Sequence, residues 1–325
     1  MKLSNNTIKR FFKGALCFSE EKGYITPYRY SKAQLDFMAD ESYDYGWRFR
    51  AKFTGGIRME LRTDAQNISF DYKASDIHER SNTVDLYVNN VLVSVYHIND
   101  RLKGHIEFND LPKEEKKITI FLPCESKLEI KNFTIDGSYK SIKDKGERVL
   151  VIGDSITQGA GPQISSSAYL NALTRKTNYM FLDQGIGGYR CEPRDLMKVD
   201  GFEPDKIIVF LGTNYYEAEC LESCNYDYEK ATNEFYKKLN ELYPNKPILS
   251  ITPLWRSRDM NMKRFLWCIN TIKKACEPYK NIVVADGFTL IPNVDDCFSD
   301  GVHPNAYGSE LLANNLLKFM KDKKF

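Results

Sequence analysis

Ser155, Gly188, Asn214 and the pair Asp300 and His303 are the residues whose types and spacing can work together on one reaction. A serine hydroxyl is a poor nucleophile until a base takes its proton, and the imidazole of His303 can be that base. Asp300, three residues earlier, can hold the ring and offset its charge once it is protonated. The backbone N–H groups of Ser155 and Gly188, with the side-chain amide of Asn214, can donate to the oxyanion of a tetrahedral intermediate. Taken singly, each has an ordinary reading. Serine is a favoured helix N-cap. Glycine and asparagine are turn residues. Asp300 and His303 can be a surface turn ahead of Pro304. Asp154 is expected to tie loops together by hydrogen bonds. His303 is the only histidine after Ser155; His78, His97 and His105 lie in the first 140 residues and read as surface or internally satisfied groups. As a set, the five residues are the parts of acyl transfer through a serine.

The elements that must position them begin at Arg148. Continuous apolar runs appear there: Val149–Ile152, Ile207–Leu211, Ile248–Ile251 and Ile282–Ala285, with a weaker run at Tyr179–Leu182. Amphipathic stretches of helical length lie at Tyr228–Tyr243, Met260–Tyr279 and Asn305–Lys321. Strands apolar on both faces that alternate with helices predict a parallel, doubly wound sheet. In such sheets function gathers beyond the carboxyl ends of the strands. Gly153-Asp154-Ser155-Ile156 follows the first strand, Gly185-Ile186-Gly187-Gly188 the second and Gly212-Thr213-Asn214 the third. Asp300-Gly301-Val302-His303-Pro304 comes some way after the fifth. The candidates therefore converge on one rim. Trp255 and Arg256 follow the fourth strand and are expected to bind substrate there: an indole face stacks on a sugar ring and a guanidinium bonds its hydroxyls. Packing of Trp255 at a junction between domains is the competing expectation.

The first 140 residues follow another pattern. Gly46–Phe53, Ile57–Arg62, Ile68–Tyr72, Val84–Val88, Val91–Tyr96, Ile118–Leu122 and Leu128–Ile135 alternate apolar and polar residues, the period of a half-buried strand. Asn89-Asn90 suits a tight hairpin. Many short strands predict a β-sandwich of jelly-roll type. The expected layout is a β-sandwich over 1–140, a polar linker within Gly137–Glu147, and an α/β domain over 146–325.

Composition narrows the class of function. The chain has 325 residues, 46 Lys plus Arg against 44 Asp plus Glu, and a net charge of +2, which argues against nucleic-acid binding by phosphate neutralisation. No apolar run reaches the roughly 18 residues of a membrane span. Lys13 interrupts the short apolar run near the N-terminus, so a cytoplasmic location and no membrane partner are expected. The eight cysteines are scattered. Cys220 and Cys224 are the only close pair, with no His or second Cys pair beside them, so thiols are expected rather than a metal site. The Asn67-Ile68-Ser69 and Asn132-Phe133-Thr134 sequons are read as chance matches. A Gly-x-Ser-x-Gly elbow, a phosphate-binding loop, a His-Glu-x-x-His motif and a complete dinucleotide fingerprint are all absent.

The ordered blocks Gly153-Asp154-Ser155-Ile156, Gly185-Ile186-Gly187-Gly188, Gly212-Thr213-Asn214 and Asp300-Gly301-Val302-His303-Pro304 resemble those of the SGNH/GDSL hydrolases, named for Ser, Gly, Asn and His. The resemblance covers Arg148 to the C-terminus. It implies a flavodoxin-like three-layer α/β/α domain and serine esterase chemistry without a metal or other cofactor. Two departures stand out: Tyr215 replaces the Asp that often follows the block Asn, and Gln184 replaces a more usual Asn. The first half, through Pro27-Tyr28-Arg29-Tyr30, Thr54-Gly55-Gly56-Ile57-Arg58 and Thr63-Asp64, resembles the β-sandwich of a two-domain bacterial subgroup. Carbohydrate esterases similar to acetyl-xylan esterases share this arrangement. The expected activity is hydrolysis of short acyl esters, O-acetyl on a saccharide first, with Ser155, His303 and Asp300 catalytic and Ser155, Gly188 and Asn214 holding the oxyanion. The expected partner is a small-molecule or oligosaccharide ester. A lipid or thioester acylhydrolase, and a glycan-binding protein with a disabled hydrolase domain, stand as alternatives; self-association is left open.

Overall fold

Alternation builds the N-terminal half. In β5 (Ile68–Ser75) the residues Ile68, Phe70, Tyr72 and Ala74 are buried while Ser69, Asp71, Lys73 and Ser75 are partly exposed, so one face of the strand meets a core. The computed structural model describes residues 1–40, 43–75, 80–98, 102–215, 227–257 and 261–325. One antiparallel sheet runs β1 (Phe12–Lys13), β4 (Arg58–Thr63), β9 (Lys116–Phe121), β6 (Thr83–Val88), β7 (Val91–His97), with β11 (Tyr139–Ser141) also on β4. The other runs β2 (Cys17–Glu21), β3 (Tyr24–Tyr28), β10 (Lys127–Ile135), β5, β8 (Lys103–Phe108). Consecutive strands mostly switch sheets, as in a jelly roll. Their inner faces share one apolar core that includes Met59, Leu61, Phe70, Leu86, Ile120 and Phe133. Phe70 and Phe133 stack at 5.8 Å. The hairpin turn at Asn89-Asn90 has both φ values positive, +48° and +68°, as a tight two-residue turn requires.

The C-terminal half is a parallel sheet in the order β13 (Met180–Gly185), β12 (Arg148–Gly153), β14 (Lys206–Phe210), β15 (Ile248–Ile251), β16 (Ile282–Ala285). That is the 2-1-3-4-5 order of flavodoxin-like folds. Successive residues of β12 face opposite layers. Leu150 and Ile152 join one core with α6 (Tyr228–Leu242) and α7 (Met262–Cys276). Val149 and Val151 join the other with α5 (Tyr169–Lys176) and α8 (Ala306–Asp322). This is a three-layer α/β/α sandwich preceded by a β-sandwich. Among the described residues, no helix is long and apolar enough to cross a membrane.

Three segments differ from the sequence reading. Gly46–Phe53 is not a strand; Tyr45–Arg50 is helix α3. Asp44 caps it by accepting from the Trp47 N–H at 2.9 Å, and Tyr43, Trp47 and Ala51 bury one face at helical spacing. Aromatic residues two apart mimicked a strand period. Second, the expected linker is partly structured, because Tyr139–Ser141 pairs with β4 and Asp144 bonds Lys13 at 2.8 Å. Third, the short helices α1 (Asn5–Lys9) and α2 (Lys32–Met38) were not foreseen. Residues of α2 and α3 lie in the same apolar cluster as β12, β13 and β14, so the N-terminal half supplies part of one helical layer.

The junction uses the Pro27–Tyr30 and Thr54–Arg58 motifs. Arg29 is fully buried and donates to Asp183 on β13 and to the carbonyls of Phe53 and Arg50, each at 3.1 Å. The Tyr30 hydroxyl donates to the Gln184 carbonyl at 2.9 Å. Gly55 and Gly56 must be glycines. A Cβ on Gly55 would lie 2.5 Å from the Gln158 carbonyl oxygen, and one on Gly56, whose φ is +72°, would lie 2.4 Å from Cβ of Asp183.

Candidate active site

Ser155 opens the one-turn helix α4 (Ser155–Gln158) directly after β12. Asp154 caps it, its carboxylate accepting from the Ile156 N–H at 3.0 Å. Burial raises the Asp154 pKa to about 6 against the pull of that N–H, of His303 and of Arg256. Asp154 thus holds the start of the helix that carries Ser155. The turn of Ser299–Pro304 carries His303. Ser299 N–H donates to the His303 carbonyl at 2.8 Å and closes it.

Ser155 and His303 meet. His303 Nε2 lies 2.8 Å from Ser155 Oγ, and His303 Nδ1 lies 2.8 Å from Asp300 Oδ2. With Nδ1–H donating to the carboxylate, Nε2 is left to accept the serine proton. The other carboxylate oxygen, Oδ1, accepts from the backbone N–H of Val302 at 3.0 Å and of His303 at 2.9 Å. Burial disfavours the Asp300 charge, but hydrogen bonds from the His303 side chain and backbone and from Val302 outweigh it. They hold this carboxyl well below the usual carboxylate range. Asp300 thus stays ionised opposite the imidazole.

The loops after β12, β13 and β14 are bonded to one another. Ile186 N–H donates to the Gly153 carbonyl at 3.0 Å. Gly187 N–H donates to Gln158 Oε1 at 2.8 Å. Asn214 sits in the short helical turn Thr213–Tyr215 and donates one amide hydrogen to the Tyr189 carbonyl at 2.9 Å, which fixes its side chain beside Gly188. Gly188 has φ +79°, so its left-handed backbone, and not close packing, is what asks for glycine; its absent Cβ would touch nothing nearer than 3.7 Å. Tyr215, in place of the usual Asp, is fully buried, accepts a hydrogen bond from the Cys191 N–H and packs on Tyr228 at 4.0 Å between ring centres. Gln184 exchanges hydrogen bonds with Gln34 of α2 at 3.0 and 3.1 Å.

Residues 151–311 match the model of the GDSL-like lipase/acylhydrolase family. The C-terminal half is an SGNH/GDSL hydrolase domain. No curated protein sequence matches the chain. Solved structures share its two-part SGNH architecture. The salicylyl-acyltransferase SsfX3 from a tetracycline biosynthetic pathway superposes with a TM-score of 0.73 at 17% identity, over 96% of this chain and 94% of that one. A family two carbohydrate esterase from Clostridium thermocellum, in complex with cellohexaose, gives 0.65 at 14% identity over 83% and 93%. An acetyl xylan esterase, Est2A, from Butyrivibrio proteoclasticus gives 0.61 at 17% over 83% and 90%. The family match supports an acyl ester hydrolase.

The two residues expected to bind substrate at the rim make contacts within the α/β domain. Trp255 stacks one ring face on Phe288, with centres 3.7 Å apart, and donates its N–H to the Phe288 carbonyl at 3.1 Å. That face and that donor are thus taken up inside the α/β domain. Arg256 is only 6% exposed and donates to the Thr213 carbonyl at 3.0 Å, so it braces the Asn214 turn from behind. Cys220 and Cys224 lie outside the described residues.

The sequence reading missed contributions to the SGNH site from the N-terminal half. Arg50 of α3 donates to the Gly187 carbonyl at 3.0 Å. Trp47 packs edge-on against Tyr189 at 5.0 Å between ring centres. Arg80, ahead of β6, donates to Asp300 Oδ2 at 3.0 Å. Glu125, between β9 and β10, is pushed up to about 7, chiefly by burial, although His303, Arg80 and Arg50 pull it down. None of these residues sits in a block that a pattern could flag.

Proposed function

We propose that this chain is a serine esterase that removes short acyl groups, O-acetyl first among them, from carbohydrate hydroxyls. The observation that carries the reading is the chain of contacts from Ser155 Oγ through the His303 ring to the ionised Asp300, with 2.8 Å at both links. In this mechanism Ser155 Oγ attacks the ester carbonyl carbon as its proton passes to His303 Nε2. Asp300 orients the ring and offsets the imidazolium. The backbone N–H groups of Ser155 and Gly188 and the second amide hydrogen of Asn214 take the oxyanion. His303 returns its proton to the departing alcohol oxygen, leaving an acyl ester on Ser155. Water, deprotonated by His303, attacks that ester; carboxylate leaves and the serine recovers its proton. The ordered Ser–His–Asp contacts favour this reading over a disabled, purely glycan-binding role. The carbohydrate choice draws support from the esterases of like architecture.

The test is Ser155→Ala, assayed on p-nitrophenyl acetate and for acetate release from acetylated glycans. Turnover should vanish on both, and a fluorophosphonate should label the wild type at Ser155 alone. Undiminished rates in the variant would end the reading. Transfer to an alcohol shares every step up to the acyl-enzyme, and one structure of like fold is an acyltransferase. Stoichiometric acetate release without any added acceptor distinguishes hydrolysis from transfer.

A further inference from the structure

The reactive groups of the α/β domain touch a residue of the β-sandwich. Asp300 Oδ2 is the oxygen that accepts the hydrogen bond from His303 Nδ1–H, and the same oxygen accepts from Arg80 Nη1 at 3.0 Å. The carboxylate then holds four donors: two backbone N–H groups on Oδ1, and the imidazole and the guanidinium on Oδ2. All its strong acceptor directions are in use, so its rotation is blocked. The chain just after Arg80 is held firmly. The next residue, Ser81, is fully buried in the left-handed region at φ +54°. Its hydroxyl contacts the carbonyls of Gly159 and Pro162, just beyond the Ser155 helix, and its own carbonyl accepts from the Cys124 N–H at 2.8 Å. The next side chain but one, Thr83, bonds Ser165. The backbone that follows Arg80 is thus fixed, and its guanidinium, 38% exposed, reaches Asp300 from it.

We propose that Arg80 is a positioning residue of the esterase: the β-sandwich completes the Ser155–His303–Asp300 relay by clamping the carboxylate that orients the base. This rests on the reading of those three residues given above. Two effects follow. The clamp keeps Asp300 in the plane that holds His303 in its productive tautomer. Its positive charge also shares the oxygen that would steady an imidazolium. Among the described residues, Glu125 from the N-terminal half acts on both members of this pair, and Asp154 from the α/β half acts on His303. Arg80 is in direct contact with Asp300.

The experiment compares wild type with Arg80→Gln, Arg80→Met and Arg80→Lys on p-nitrophenyl acetate from pH 5 to 9. The two neutral variants should lose about ten- to a hundredfold in kcat with KM nearly unchanged, as expected when a reacting group is displaced. Their acidic limb of kcat/KM should move up by about half a pH unit to one unit, because a nearby cation has been removed. Arg80→Lys should restore most of the rate and most of the limb. A merely structural role would alter stability or rate without moving the limb, so superimposable pH profiles in both neutral variants would overturn the proposal. So would a limb that moves equally in Arg80→Lys. Fluorophosphonate labelling separates the two levels. Wild-type labelling at Ser155 with unmoved variant profiles sinks Arg80 alone; a wild type that does not label sinks the esterase reading and this inference together.

Discussion

Asp300→Asn is a change of one atom whose cost follows from four contacts. In the native site Oδ1 accepts two backbone N–H bonds and Oδ2 accepts from His303 and Arg80. An asparagine that keeps its carbonyl oxygen at the Oδ1 position must place its NH2 group where Oδ2 was. There it meets the Arg80 donor and can only donate to His303 Nδ1. The imidazole must then carry its proton on Nε2, facing Ser155, where it cannot accept. Flipping the amide restores an acceptor to His303 but sets NH2 against the N–H groups of Val302 and His303, leaving two donors unmatched. Both orientations damage the relay, and the loss of the negative charge removes the partner of the imidazolium as well. The expected fall in kcat is about ten-thousandfold, or roughly 5 kcal/mol of transition-state stabilisation. The assay is kcat and KM on p-nitrophenyl acetate near pH 8, with a thermal melt to show that the variant is folded. KM should change little. A folded variant that loses less than tenfold would refute the assignment of Asp300 as the group that sets the tautomer of His303.

Three further outcomes are expected. Asn214→Ala should lower kcat by about a hundred- to a thousandfold if its free amide hydrogen meets the oxyanion, with KM steady; a loss under tenfold excludes it as a main donor. Arg29→Met strips a fully buried guanidinium from Asp183, itself 2% exposed, and from two carbonyls; urea unfolding should show a loss of about 3–5 kcal/mol. Glu125 titrates near 7 in the folded chain and near 4.5 when unperturbed, so folding tightens its hold on the proton. Its contribution to stability is full below about 4.5 and is lost as pH rises through about 7. Glu125→Gln should therefore unfold at higher urea than wild type at pH 8, by about 2 kcal/mol once solvent screening is allowed for, with the gap closing towards pH 4.5.

The sequence was most informative where a local pattern has a single physical solution. Runs such as Ile207–Leu211 and Ile248–Ile251 are too apolar for a half-exposed strand, so they call for helices on both sides, and the site blocks fall at the ends of those strands. Alternation of apolar and polar residues in the first half likewise gives most of the sandwich. It misleads at Gly46–Phe53, where Trp47, Phe49, Ala51 and Phe53 fit a period of two. The Asp44 cap and the partners of Trp47 on the α/β domain decide for a helix. Arg80 meets Asp300 across 220 positions of chain, and no local rule links them. Trp255 illustrates the reverse difficulty. Its place after a strand suggested an exposed platform, yet Phe288, far along the chain, covers one face. Tyr215 was singled out only as a departure; its burial under Tyr228 depends on a helix that starts beyond the block.

The helical layer over β12 to β14 is built partly from residues before position 52. Leu150, Ile152, Ile186 and Val209 share one apolar cluster with Tyr30, Met38, Trp47 and Ala51. A gene fragment starting near residue 146 would encode every reactive group yet leave those side chains bare to solvent. Such a fragment should stick to itself rather than turn over ester. Recombination that swaps the front half for an unrelated module would meet the same obstacle, so the two halves are expected to pass between genomes as one inherited piece.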